Sequence, residues 1–355
     1  MSYAGENGAF SFRDGYCELL PGRSGYSEAQ YLGRAMTAAF PEVRRFCAGS
    51  GSFRSSGILH ALCSGITEGG KDVYICEDTD LPSMRYSLPL LSADIGIYVT
   101  SEPGLKLRFY SISRLPLQTG ELSRLSRTKP PENAGKPGKM LSCTTFKDIY
   151  ICNIADTLMT RTALPAGISC GDRAVRSLWL ELFSGEDDSL VYQVSGCGSR
   201  VNAYSSAYGF IPHEKLILAY SALCPEKPVY LPESVHYAAE DIIPDIRRFP
   251  DDEPPDTVPR YLTDPLFMCS QLTDRLPEFM EILRRMPALA AVRREVAVSG
   301  SKALPGDIRC RDGRVLVTRS GRSRLTVTAQ SHSIEAASEL CGEWTDRLRK
   351  KNPDP

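Results

Sequence analysis

Two short segments hold residue types and spacings capable of chemistry. Ser195-Gly196-Cys197-Gly198-Ser199-Arg200 breaks an apolar run at 190–194. Its alternating glycines allow a tight turn and a close backbone approach. Its hydroxyls and thiol are poor ligands for a hard divalent cation, and Arg200 adds positive charge beside them. The second segment is Arg319-Ser320-Gly321-Arg322-Ser323-Arg324. Three guanidinium groups on a short glycine-containing loop offer bidentate donors and backbone N–H groups that match phosphate. The bland reading of the same run is a solvated hairpin tip.

Other motifs lead nowhere. Gly65 to Asp72 fits GxxxxGK superficially, but Asp72 replaces the magnesium-holding Ser or Thr, and the loop precedes a strand. Gly49-Ser50-Gly51 lacks the third glycine of a dinucleotide fingerprint. His60, His213, His236 and His332 are scattered, without metal-ligand spacing. The acidic run Asp251 to Asp256 is interrupted by proline and reads as a solvated loop. Among 12 cysteines there is no CxxC, so zinc knuckles and thioredoxin chemistry are excluded. Most lie in apolar runs such as Val73-Tyr74-Ile75-Cys76, as small buried hydrophobes in a reducing compartment.

The elements that must position these loops follow from periodicity. Ser27 is placed to cap a helix over 28–40, and 44–48 reads as a strand. A helix over 56–67, a strand at 72–76, a helix over 82–91 and strands at 94–100 and 105–112 continue the alternation. The stretch 128–139, rich in Pro, Gly and Lys, reads as a linker. A second block is expected to hold strands at 146–152 and 190–194 and a helix over 173–183. A helix over 213–223, a short strand at 229–231 and a long loop at 247–260 follow, then a helical stretch over 264–286 that Pro277 must restart or kink. The last block has strands over 308–318 joined at Asp312-Gly313, a strand at 325–329 and a closing helix over 334–349.

The whole chain has 355 residues, 42% of them hydrophobic, which implies several domains and excludes wholesale disorder. Lys and Arg number 42 against 43 Asp and Glu, so no global basic field favours nucleic acid. No apolar run is long enough for a bilayer, and the N-terminal residues lack a secretory pattern, so a cytoplasmic protein is expected.

In chain order these blocks resemble the alpha-D-phosphohexomutase family, which includes phosphoglucomutases and phosphomannomutases. Leu91 to Ser101 resembles the strand leading to the family's phosphoserine loop, and Lys106 the lysine that follows it. Asp188 to Arg200 is similar to the strand and DGDGDR metal loop, Val292 to Val296 to the stretch before the fourth domain, and Val317 to Val327 to the RxSGTEPxLR phosphate loop. The resemblance implies an α/β architecture of three mixed-sheet domains plus a C-terminal α+β domain, divided at 1–135, 136–205, 206–300 and 301–355.

The departures shape the functional expectation. Ser195, Cys197 and Ser199 replace the three aspartates that hold Mg²⁺ in the family. The phosphoserine loop is shortened and lacks its His-Asn pair; an ungapped register puts Glu102 at the nucleophile position, and one gap restores Ser101. The sugar-selecting GExSG loop is not recognisable. A serine needs an activating base or a metal-bound phosphate for phosphoryl transfer, and neither is evident near Ser101. Two readings stay open. One is a degenerate member that binds a phosphosugar, with Arg319 to Arg324 on phosphate, no metal and no cofactor. The other is an active isomerase working through Ser101 and Lys106, which alone requires Mg²⁺. Ser101 and Lys106 also have bland readings, as a turn serine and an edge-strand lysine. The partner expected is a small phosphorylated ligand such as a hexose phosphate, not nucleic acid or membrane.

Overall fold

The computed structural model describes residues 3–4, 10–13, 15–19, 25–51, 53–100, 104–130, 136–223, 228–250, 255, 258–297, 306–311, 313–321 and 324–351. The chain divides into two compact units. The larger holds Ser2–Leu216 and Asp256–Leu276, and the smaller holds Ile217–Pro255 and Pro277–Pro355.

The larger unit begins with an antiparallel meander of β1 (Tyr3–Ala4), β2 (Phe10–Arg13) and β3 (Tyr16–Leu19). Helices and strands then alternate through α1 (Tyr26–Ala39), β4 (Arg45–Ser50), α2 (Phe53–Glu68), β5 (Asp72–Glu77), α3 (Leu81–Leu90) and β6 (Ile95–Thr100). They are followed by β7 (Lys106–Ser111), α4 (Thr119–Arg127) and β8 (Met140–Ser142). These eight strands form one mixed sheet in the order β1-β2-β3-β7-β6-β4-β5-β8, parallel from β6 to β8. The central strands carry near-continuous apolar runs because both faces are covered: Phe46, Cys47, Ala48, Ile95, Ile97 and Val99 are all buried. Ser27, expected to cap α1, sits inside its first turn. The cap is Gly25, whose N–H donates to the Glu28 carboxylate at 3.1 Å. Helices α1 and α2 approach closely through two glycines. A Cβ on Gly33 would lie 2.2 Å from the Leu62 carbonyl oxygen, and one on Gly65 would lie 2.0 Å from that of Gln30.

Five further strands make a second sheet in this unit. Along the chain come α5 (Phe146–Ala155), β9 (Leu164–Cys170), α6 (Arg173–Leu180), β10 (Phe183–Gly185), β11 (Leu190–Val194), β12 (Val201–Ser205) and β13 (Gly209–Ile211). The sheet order is β10-β9-β11-β12-β13, with β9 parallel to both neighbours. The stretch 146–152, expected as a strand, is the first two turns of α5. Its β-favouring residues are overridden by tertiary contacts: Tyr150 and Ile154, one turn apart, are both fully buried, and the Tyr150 hydroxyl donates to Asp264 at 2.6 Å. Helix α6 begins at Asp172, whose carboxylate accepts the N–H groups of Ala174 and Val175. Its Trp179 packs between Phe183 and Tyr192 at ring distances of 5.7 and 6.1 Å.

Helix α7 (His213–Leu223) carries the chain past the division, into β14 (Val229–Pro232), α8 (Ala239–Ile242) and β15 (Ile246–Phe249). The chain then re-enters the larger unit through α9 (Arg260–Thr263) and α10 (Pro265–Asp274), where Thr273 meets the Tyr192 hydroxyl at 2.9 Å. The helical stretch breaks at Arg275, which puts Pro277 in the first turn of α11 (Leu276–Arg285), where proline needs no intrahelical partner. The smaller unit ends as a strand-rich α+β layer: β16 (Ala290–Ala297), β17 (Asp307–Cys310), β18 (Gly313–Gly321), β19 (Arg324–Ser331) and α12 (Ile334–Lys351). The antiparallel order β16-β19-β18-β17 packs Val315, Val317, Leu325 and Val327 against Cys341 and Leu348 of α12. Arg314 is buried here by a bidentate pair with Asp307 at 2.8 and 2.9 Å and a bond to the Glu233 carbonyl.

Candidate functional site

The strands of both sheets in the larger unit release their chain at one cleft. Gly51, Asp78 and Thr100 follow or end β4, β5 and β6, while Gly171 and Ser195 follow β9 and β11. Carboxyl ends of strands are where open α/β sheets place ligands. The cleft has a volume of about 1310 Å³. Arg108, Lys147, Arg173 and Arg200 line it, opposed by Asp78, Asp148, Asp172 and Glu181. Two of these acids have local roles. Asp172 caps α6, and Asp78 follows β5 in a left-handed conformation (φ 50°), which Asp tolerates better than most residues. No ion pair between described residues engages any of the four cations.

The segment 195–200 forms a closed turn on the cleft wall. The Ser195 N–H donates to the Arg200 carbonyl at 2.9 Å, the Gly198 N–H to the Ser195 carbonyl at 2.8 Å, and the Arg200 N–H to Ser195 Oγ at 3.1 Å. Cys197 Sγ lies 3.0 Å from Ser199 Oγ. Gly198 is left-handed, with φ +72°, and a Cβ there would stand 2.7 Å from Asp80 Oδ2. The Leu81 N–H, donating to the Cys197 carbonyl at 2.9 Å, ties the turn to the start of α3. Polar side chains of this turn therefore bond one another and its backbone. They present no anionic oxygen, so the donor set does not fit Mg²⁺. Among the described residues no group of three or more His, Cys, Asp or Glu side chains could hold a metal ion.

Beneath the turn sits Asp80, fully buried as the N-cap of α3. Its Oδ1 accepts the Ser83 N–H at 2.8 Å, and its Oδ2 has no partner. Burial outweighs that bond and pushes the carboxyl up to about 7. Tyr98 completes the floor, its hydroxyl donating to the Thr79 carbonyl at 2.8 Å. At the start of α7, burial and the nearby Arg200 charge hold His213 down at about 4.

The sequence-derived candidates are distributed unevenly. Ser195, Cys197, Ser199 and Arg200 all line the cleft. Ser101 and Glu102 lie outside the described residues, though Thr100 just before them lines it. Lys106 is not among the lining residues; it lies 3.8 Å from Glu18 and over the Tyr16 ring at 5.6 Å. The expected loop 319–324 is mostly strand: Arg319, Ser320 and Gly321 end β18, Arg324 opens β19 within 3.6 Å of Glu295, and Arg322 and Ser323 lie outside the described residues. Sequence reasoning missed Arg108, Lys147, Arg173 and Asp80. Arg108 carried a signal, standing between Leu107 and Phe109 on an alternating strand. Asp80 carried half of one, an N-cap residue two places before Pro82, but nothing to show its burial.

No family model matches the chain, and no curated protein matches it. Solved structures do. A phosphoglucomutase/phosphomannomutase family protein from Burkholderia thailandensis superposes with a TM-score of 0.74 at 12% identity, over 96% of this chain and 97% of that one. A putative phosphomannomutase from Thermus thermophilus gives 0.69 at 13% identity, over 98% and 100%. The chain thus has the phosphohexomutase fold over nearly its whole length.

Proposed function

We propose that this phosphohexomutase-fold protein serves carbohydrate metabolism by binding a phosphosugar in the cleft of the larger unit, with little or no mutase turnover. The observation that carries the reading is the turn at 195–199. It stands where the resemblance places a magnesium-binding loop, and it offers hydroxyls and a thiol bonded to each other. Phosphoryl transfer depends chiefly on positioning and electrostatic stabilisation of the moving charge, so losing three metal carboxylates removes most of that stabilisation. Arg108, Lys147, Arg173 and Arg200 can still pair with a phosphate, because no carboxylate neutralises them directly. Arg319, Ser320, Gly321, Arg322, Ser323 and Arg324 are the further phosphate-binding candidates. No metal or cofactor is required, and the ligand is a small phosphorylated molecule, not a nucleic acid; no helix among the described residues is long and apolar enough to cross a membrane. The 11 free cysteines among the described residues suit the reducing cytoplasm.

The second reading is an active mutase using Ser101 as phosphorylated nucleophile with Lys106 nearby; the position of Thr100 on the cleft wall favours it. A coupled mutase assay with Mg²⁺, Mn²⁺ and Zn²⁺, run beside calorimetry with hexose phosphates, separates the two. Binding without turnover, weakened by Arg200→Ala and by Arg322→Ala, is expected. Turnover near ~10 s⁻¹, the usual enzyme median, or a phosphate mapped to Ser101 by intact mass, supports the mutase instead.

A further inference from the structure

Outside the lining of the cleft, three arginines of the larger unit gather around aromatic rings with too little negative charge. Arg85 belongs to α3, Arg114 to the turn after β7, and Arg260 opens α9. The guanidinium groups of Arg114 and Arg260 lie 5.2 and 5.1 Å from the centre of the Tyr86 ring, and that of Arg85 lies 4.8 Å from the Tyr110 ring. None of the three lines the cleft. We propose that Arg85, Arg114 and Arg260 form a second anion site, which takes a small oxyanion of the phosphate class.

Charge balance is the first argument. The carboxylate that faces all three is Asp264. Its oxygens are already engaged: Oδ1 accepts from the Tyr150 hydroxyl at 2.6 Å and the Phe267 N–H at 3.0 Å, and Oδ2 accepts from Arg260 Nε at 2.8 Å. Asp80 also lies within electrostatic range of Asp264, but burial pushes its carboxyl up to about 7, so near neutral pH it carries only part of a negative charge. Three guanidinium charges thus meet one committed carboxylate. Arginine does not escape by losing its proton, so a partly buried surplus of this kind calls for a counter-anion. Burial and the neighbouring guanidinium groups already hold Arg85 and Arg114 below the usual arginine range.

Unmatched donors are the second argument. Arg260 Nη1 donates to Asn153 at 2.6 Å, Arg114 Nη2 to the Tyr86 carbonyl at 3.4 Å, and Arg85 Nη2 to the Arg114 carbonyl. Arg85 Nε and Arg260 Nη2 remain buried with no acceptor. Their ring-stacked faces leave the N–H edges as the available binding surface, which is the edge that oxyanions take. The backbone supports this arrangement. Arg114 holds a left-handed conformation, φ 67°, fixed by its N–H bond to the Ser111 carbonyl at 2.8 Å, and its carbonyl anchors Arg85. The neighbouring Ile112 is 43% exposed, so the turn that carries Arg114 borders solvent.

The test uses the full chain, inorganic phosphate and sulfate as probes, and titration calorimetry at low chloride. Arg114→Asn removes one guanidinium and keeps a residue that tolerates the left-handed conformation. Arg85→Gln is the second variant, and circular dichroism without phosphate confirms that each is folded. Arg200→Ala removes a cleft cation and leaves this cluster intact. Phosphate binding that survives Arg200→Ala, and that weakens tenfold or more in Arg114→Asn and in Arg85→Gln, is the expected result. Unchanged phosphate affinity in both folded cluster variants overturns the site, as does complete loss of phosphate binding in Arg200→Ala. The site does not depend on the reading of the cleft, because hexose-phosphate binding and turnover are measured separately.

Discussion

At the residue scale, Asp80 and His213 set opposite pH slopes. Asp80 has a folded-state value raised from 3.8 to about 7, so the native state holds a proton that the unfolded state releases. Its contribution is complete below about pH 3.8 and is lost as pH rises through about 7. His213 is depressed from 6.5 to about 4, so its contribution is complete above 6.5 and is lost as pH falls toward 4. Asp80→Asn keeps a good helix cap while removing the first slope. Its melting temperature is expected to exceed that of the wild type at pH 8, and to rise from pH 4 to 6.5 more steeply; identical profiles refute the buried-acid account. Gly198→Ala puts a Cβ against Asp80 at a left-handed position, and a loss of roughly 1–3 kcal/mol is expected in urea denaturation. Of these residues, Arg200 was legible because its segment is glycine-spaced. Asp80 was not, since an N-cap pattern gives position along a helix and is silent on depth.

At the element scale, the alternation from α1 to β7 was readable because each strand and helix kept one period and clear punctuation. Failure came where local preference and tertiary contact disagree. The stretch 146–152 is rich in β-favouring residues and became α5 because Tyr150 and Asp264 pair across 114 residues of sequence. That error also hid Lys147 from the list of cleft residues. The α1–α2 crossing was equally hidden, since Gly33 and Gly65 inside helical runs look merely unfavourable. Gly65→Ala is expected to cost roughly 1–3 kcal/mol, because the new methyl meets backbone and not a flexible side-chain end. An unchanged denaturation midpoint shows instead that the two helices can separate without penalty.

At the scale of the whole molecule, the fold was legible as an order of loops and not as intact motifs. The 12–13% identity to the solved structures shows why motif matching alone falls short: the architecture is kept while little of the sequence is. If the cleft binds phosphate electrostatically through Arg108, Lys147, Arg173 and Arg200, hexose-phosphate affinity is expected to fall as ionic strength rises. Salt-independent affinity points to a ligand held by neutral hydrogen bonds.

The larger unit is discontinuous: 256–276 returns to it after the chain has left for the smaller one. That segment supplies Asp264 to Tyr150, Asp274 to the N–H groups of Met159 and Thr160, and Thr273 to Tyr192. On the ribosome, then, α5 and the second sheet wait for partners synthesised 114 residues after Tyr150 and 81 residues after Tyr192. A nascent chain stalled after Leu216 exposes Tyr150 and Tyr192 and is a natural client for holdase chaperones. Stalled intermediates are expected to become protease-resistant only once α10 has cleared the exit tunnel.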